Sequence, residues 1–211
     1  MIVEPSDIIL AEYGLRQRQI ELERERLARL RHTPAVTLDG CHVDLLVNIE
    51  LPGDADAAVA AGAVGVGLFR TEFLFMGRMG SLPDEEEQYR AYREAVEGMQ
   101  GLPVTIRTLD IGADKPLDKQ HRDDSLNPAL GLRAIRWSLA DPAMFRTQLR
   151  ALMRAAVHGQ VNVLFPMLTH PREIAQTLAQ VRLARAELDA RGVLHGPTRL
   201  GAMIEVPAAA L

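Results

Sequence analysis

The 211-residue sequence has a single cysteine, Cys41, so no internal disulfide can staple the fold, and a reducing cytoplasm suits it. It has no run of about 18 apolar residues that would serve as a membrane span. Its first residues, Met1-Ile2-Val3-Glu4-Pro5, lack the basic opening of a signal peptide. Basic runs are missing too. The net charge is −4, and the arginine-rich stretch Arg16 to Arg31 is balanced by Glu21, Glu23 and Glu25, which argues against a nucleic-acid partner. No Gly-x-Gly-x-x-Gly follows a strand pattern and no Gly-x-x-x-x-Gly-Lys occurs, so the nucleotide-fold fingerprints are absent. His42, His121, His158 and His195 show no metal-ligand spacing and read as surface or loop residues. No repeat of fixed period is present beyond a strand–helix unit. These absences leave a soluble, cytoplasmic protein that inserts into no membrane.

What is present is an ordinary globular composition, 47% hydrophobic and 25% charged. Ser6 or Asp7 can cap a long helix running to about Arg31, with Ile9, Tyr13, Ile20, Leu27 and Leu30 as a sparse apolar stripe, and Pro34 ends it. Residues 1–34 are therefore expected to form a charged linker helix. From residue 35 onward the rhythm alternates. Strands are expected at Val43–Ile49, Val64–Phe69, Val104–Ile111, Val161–Leu168 and Leu200–Val206. Helices are expected at Asp54–Ala61, Asp84–Met99, from the end of the Gly112–Asn127 loop to about Gly159, and at Pro171–Arg191. Asp84 with Glu87 reads as a capping box, Asp141-Pro142 as a break and restart, and Gly192 as a helix stop. Such an alternation with right-handed crossovers predicts a parallel sheet covered by helices, either doubly wound or part of a (β/α)8 barrel, with the barrel favoured.

The organising stretch is Val64 to Phe69, a short apolar run punctuated by Gly65 and Gly67 and ending in Arg70-Thr71-Glu72. It suits a strand buried on both faces, its glycines marking close backbone approach. In parallel α/β folds, charged residues at strand C-termini sit where ligands bind. Arg70 and Thr71 follow the second expected strand, Arg107-Thr108-Leu109-Asp110 lies on the third, and Glu205 ends the fifth. The loop after the third strand adds Asp114 and Lys115, and the stretch beyond it Asn127, Arg133 and Arg136. Converging guanidiniums match phosphate and carboxylate oxygens, and a neighbouring glutamate suits Mg²⁺. A ligand bearing both phosphate and carboxylate would use the whole set. The plainer readings are a solvated Arg70–Glu72 pair, a barrel-interior Arg107–Asp110 pair, and a structural pairing of Glu205 with a barrel cation. Arg136 reads as a helix-face residue, Cys41 as a half-buried thiol, and Phe73, Phe75 and Met76 as packing.

Several stretches together carry a resemblance. They are Gly65 to Met76, Glu85-Glu86-Glu87-Gln88-Tyr89, Arg107 to Gly112, Asn127 to Arg136, and Glu205-Val206-Pro207-Ala208-Ala209. With the glutamate-rich entry helix and Pro34 to Gly40, they resemble enzyme I of the bacterial sugar phosphotransferase system, in order and over nearly the whole chain. The related pyruvate phosphate dikinase and phosphoenolpyruvate synthase barrels share the Arg70 and Arg107 positions, while Thr71 to Met76 looks more like enzyme I. The resemblance implies transfer of a phosphoryl group from phosphoenolpyruvate to a histidine of the same enzyme and on to a small phosphocarrier protein. It implies a (β/α)8 barrel that binds phosphoenolpyruvate and Mg²⁺ and mediates homodimerisation. Arg70, Arg107, Arg133 and Lys115 would then bind substrate, and Glu205 would be one Mg²⁺ ligand. Ala113 stands where the family usually has a second glycine.

The expected phosphohistidine domain would precede Met1. The later strands, with a second acidic metal ligand, a further arginine and a proton-donating cysteine, would follow Leu211. Residues 35–211 are accordingly expected to form an incomplete, TIM-type barrel of about five strands with no catalytic acceptor of its own. The alternatives are a non-catalytic truncated barrel that acts as an interaction or dimerisation module, or a piece of a dikinase or synthase relative. The expected outcome for this chain alone, incubated with labelled phosphoenolpyruvate and a phosphocarrier, is no transfer of label; stoichiometric labelling of the carrier would overturn the half-site reading.

Overall fold

The computed structural model describes residues 6–31, 33–76, 78, 81–111 and 131–211, in two compact units, Met1–Leu45 and Leu46–Leu211. In the first unit, α1 (Asp7–Ala28) buries no residue. Its charges pair along its own surface, as Arg16 does with Glu12 at 3.0 Å. After it comes a small antiparallel bridge, Val36 to His42, turning at Gly40 with φ +88°. Thr37 N–H donates to Cys41 O and Val43 N–H to Ala35 O, so Val43 belongs to this turn and not to the strand expected from Val43. Cys41 is exposed rather than half-buried.

The second unit is one five-stranded parallel sheet with its strands in sequence order, β1 (Val47–Ile49), β2 (Val66–Phe69), β3 (Val104–Arg107), β4 (Val161–Phe165) and β5 (Thr198–Ala202). Sequential order decides between the two candidate architectures. A doubly wound sheet reverses its order at a switch point, whereas a barrel wall adds each strand beside the last. The fold is therefore α/β with part of a barrel wall. Among the described residues, β1 and β5 are its edges, and four of the five residues of β5 are exposed.

The helices of this unit are α2 (Asp54–Ala60), α3 (Glu85–Gly98), α4 (Ala134–Ala140), α5 (Pro142–Ala155), α6 (Pro171–Ala190) and the short α7 (Pro207–Ala210). They pack against one another in the order α2, α3, α5, α6, with α4 against both α5 and α6. In β3 and β4 alternate residues are buried, Val104, Ile106, Val161, Val163 and Phe165. They pack with Phe145, Leu149 and Leu152 of α5, each less than 2% exposed. Full burial of such side chains contributes about 1.5–3 kcal/mol each. The opposite sheet face carries Thr105, Arg107, Asn162 and Leu164, all only partly buried, and Asn162 Nδ2 donates to Thr105 Oγ1 at 3.2 Å. Burial on both faces, expected from the apolar run at Val64, is thus not met within the described residues. The inner face is half-open and mixed, with Leu164 beside Thr105, Arg107 and Asn162.

The glycine expectation holds at Gly65, where a Cβ would come within 2.8 Å of the Pro103 carbonyl. Asp141 and Pro142 break and restart the helix as the sequence implies, with Asp141 accepting from Met144 N–H at 3.1 Å. At α3 only half of the expected capping box forms. Asp84 accepts from Glu87 N–H at 2.8 Å, while the Glu87 carboxylate pairs with Arg78. The reciprocal box is found at α6, between His170 and Glu173. Phe75 is buried and Phe73 packs on the core, whereas Met76 is half exposed. His158 lies in the loop between α5 and β4, as expected, but is partly buried there: it joins Tyr89 OH at 2.9 Å and Glu97 at 3.0 Å.

An ion network ties the helix row together. Glu85 at the start of α3 receives Arg150 (2.6 Å) and Arg154 (2.9 Å) from α5 and Arg191 (2.8 Å) from the end of α6. Burial pushes the Glu85 carboxyl up, but hydrogen bonds from Arg191, Arg150 and Arg154 outweigh it and hold it down at about 2. A carboxylate depressed from 4.5 contributes stability that is fully present above about pH 4.5 and is lost as pH falls toward 2. The melting temperature of the chain should therefore fall over that window, and less steeply in Glu85→Gln. Equal slopes for the two would show that the network carries no linkage.

Candidate functional site

The C-terminal ends of β2 and β3 build the charged cluster. Arg107 is the last residue of β3, and its guanidinium spans two carboxylates: Nη2 donates to Glu72 Oε1 at 2.8 Å and Nη1 meets Asp110 Oδ2 at 3.0 Å. The other Asp110 oxygen accepts from Arg133 Nη2 at 3.1 Å. Glu72 Oε1 also accepts from Asp110 N–H at 3.2 Å. Glu72 is held there because a single 3-10 turn, Glu72–Leu74, follows β2 and folds its side chain back toward β3. All four side chains are largely buried. Two arginines and two carboxylates therefore form one neutral cluster at the mouth of the barrel wall.

Unmet hydrogen-bonding capacity remains in it. Among the described residues, Glu72 Oε2, Arg107 Nε, Arg133 Nε and the hydroxyl of the neighbouring Thr108 are buried without a partner. Buried polar groups are ordinarily satisfied, so several orphans in one place point to a missing occupant such as water or an oxygen-rich ligand. Backbone strain lies nearby. Ala134, directly after Arg133, has φ +50°, and Met167, beyond the end of β4, has φ +58°. Left-handed backbone at residues other than glycine is costly and gathers at functional sites.

The remaining residues named from the sequence are placed differently. Arg70 follows β2 but is about half exposed and pairs with Glu50 at 2.6 Å, outside the buried cluster. The solvated Arg70–Glu72 pair of the plainer reading does not form, since Glu72 pairs with Arg107. Glu205 lies three residues beyond the end of β5, where its Oε1 accepts from the strained Met167 N–H at 2.7 Å. Its partner is thus a backbone amide, not the barrel cation of the plainer reading. Arg136 Nη1 donates to Gly131 O at 3.4 Å. Lys115, Asp114, Ala113 and Asn127 lie outside the described residues. No group of three or more His, Cys, Asp or Glu side chains that could hold a metal ion occurs among the described residues, and Glu205 stands as a single carboxylate donor.

The Arg107–Asp110 pairing matches the reading that set Asp110 aside as a partner. Glu72 was legible only as a charged neighbour of Arg70. A glutamate three residues past a strand looks alike in sequence whether solvated or buried, and the 3-10 turn makes the difference. No helix among the described residues is long and apolar enough to cross a membrane.

A family profile described as "PEP-utilising enzyme, PEP-binding domain" matches residues 24–211. The chain is 63% identical to the phosphoenolpyruvate-protein phosphotransferase of Cupriavidus necator, 45% to that of Geobacillus stearothermophilus and 43% to that of Staphylococcus carnosus. Each match takes in 100% of this chain but only 36–37% of the relative, so the chain spans little more than a third of their length.

The two arginines differ in their expected contribution to stability. Arg70→Ala removes an exposed pair and should change the unfolding free energy by about 0–1 kcal/mol. Arg107→Ala takes the guanidinium from buried Glu72 and leaves Asp110 with Arg133 alone, and should cost roughly 3 kcal/mol. Urea unfolding of the two variants, each against the parent chain, measures the contrast; equal effects would mean that the cluster is solvated.

Proposed function

From the premise that the chain belongs to the family of phosphoenolpyruvate-utilising enzymes' PEP-binding domains, we propose that it is the phosphoenolpyruvate-binding portion of a phosphotransferase. Such an enzyme moves the phosphoryl group to its own histidine and then to a phosphocarrier protein for sugar uptake. The observation that carries this reading is the convergence of Arg107 and Arg133 on Asp110 at the C-terminal edge of a singly wound parallel sheet. The phosphotransferase name borne by the relatives favours it over a dikinase or synthase.

In this reading the substrate's phosphate and carboxylate take over the guanidinium edges now held by Glu72 and Asp110, and meet the orphan Nε–H groups of Arg107 and Arg133. Arg70 leaves its exposed pair with Glu50 to join them; surface pairs of that kind hold by only about 0–1 kcal/mol. Lys115 assists. Fixed cations around the transferring group supply positioning and charge neutralisation, the main catalytic contributions in phosphoryl transfer. Glu205 fits a Mg²⁺ site in part: one of its oxygens is committed to Met167 N–H, leaving the other for a hard cation. Mg²⁺ suits such a sparse donor set because it keeps several waters and binds through one or two carboxylates plus phosphate oxygens, whose charge it neutralises. Residues 35–211 are the barrel portion, residues 1–34 a charged linker helix, and the working enzyme is a cytoplasmic homodimer.

The test uses the protein at its natural length with labelled phosphoenolpyruvate, Mg²⁺ and a phosphocarrier. Label should reach the carrier, and Arg133→Ala should raise the KM for phosphoenolpyruvate about tenfold or more, as expected for loss of a charge-assisted contact. Absence of labelling in the parent protein would sink the assignment.

A further inference from the structure

The buried face of α5 is apolar but for one side chain. Met144, Phe145, Leu149, Leu152 and Met153 surround Gln148, which is wholly buried. A primary amide in such a place costs free energy unless its hydrogen bonds are met. They are met, and by an unusual choice of partners. Its Oε1 accepts from Leu109 N–H at 3.0 Å. Its Nε2 donates to Thr71 Oγ1 at 3.3 Å and to Tyr92 Oη at 3.1 Å. The Thr71 hydroxyl in turn donates to the Arg107 carbonyl at 3.1 Å.

The amide therefore grips the exit of β3 on both sides of Thr108, at Leu109 directly and at Arg107 through Thr71. Those two contacts fix the backbone that runs from Arg107 toward Asp110. They also lock it to the end of β2, from which Glu72 follows. The network continues outward. Tyr92 Oη donates to Gln88 Oε1 at 3.1 Å, and Gln88 Nε2 to the Pro83 carbonyl at 3.0 Å, where the chain enters α3. Gln88, Tyr92, Gln148 and Thr71 are all buried to within 1%. Burial also raises the Tyr92 phenol well above its ordinary range, so it stays a donor and the direction of the chain of bonds does not vary. A fully satisfied buried network of this kind rigidifies what it touches.

We infer that Gln148 is a positioning residue for the anion site: from the helix layer it fixes the β3 exit so that Arg107 and Asp110 keep their mutual geometry. This rests on the reading that Arg107 and Arg133 bind substrate, but the positioning itself does not need a ligand to be measured. Gln148→Met keeps the length and apolar fit of the side chain and removes its hydrogen bonds. Leu149→Ala, one residue along the same helix, lowers stability through packing without touching the network.

In the protein at its natural length, Gln148→Met should raise the KM for phosphoenolpyruvate about tenfold, the worth of one lost buried hydrogen bond. Leu149→Ala should lower the melting temperature yet leave that KM near the parent value. Amide hydrogen exchange gives the second readout: Leu109 and Asp110 should exchange faster in Gln148→Met than in Leu149→Ala. If the parent protein does not use phosphoenolpyruvate, the functional reading fails while the exchange comparison still decides the positioning role. Equal exchange at Leu109 and Asp110 in the two variants, or equal KM values, would overturn the inference.

Discussion

Two guanidiniums held against two carboxylates at the end of β3 are the constraint on which the rest of this structure turns. Buried ion pairs add little net stability, because desolvation offsets their attraction, yet breaking one is costly. Arg107, Glu72, Asp110 and Arg133 therefore do not explain why the chain folds; the apolar contacts of α5 with β3 and β4 do that. The cluster instead fixes how the turn after β2, the end of β3 and the entry to α4 meet, since Glu72, Arg107 and Arg133 stand at those three places. Strand order supplies the rest. A wall wound in one direction delivers its strand ends to one rim, and the helix row can brace that rim from outside.

That bracing has two layers of different chemistry. Near the rim it is neutral and buried, with amide, hydroxyl and phenol groups in one network. Further out it is ionic, with Glu85 receiving three arginines from α5 and the end of α6. Salt screens charge–charge attraction, so it acts on the ionic layer and leaves the neutral network largely untouched.

The alternation of elements, the break at Asp141-Pro142 and the stop at Gly192 were legible because each rests on local backbone chemistry. Arg107 and Arg133 were legible as strand-end and helix-entry cations. The limits of β1 were not. Val43 to Leu46 has a strand's composition, but the turn at Gly40 claims Val43, and only Val47–Ile49 pair with the short β2. The exposed position of Arg70 and the buried one of Glu72 are likewise set by a partner twenty residues away and by a single 3-10 turn. Gln148 gave only a faint signal, one polar residue at helical spacing among apolar ones. Which groups such a residue grips is decided by tertiary contacts 39 and 77 residues distant.

The neutrality of the rim cluster also bears on how an anion would arrive. Its two positive charges are already matched, and the chain as a whole carries −4. From these residues alone little long-range field would draw an anion in, and encounter at such a site would be governed by diffusion and orientation rather than by electrostatic steering. Selection then happens at contact. A small monovalent anion cannot replace two carboxylates at once, whereas a ligand with several oxygens on two anionic groups can. If the rim binds the anion proposed for it, the pairing that holds it in shape would also act as a filter against simple salts.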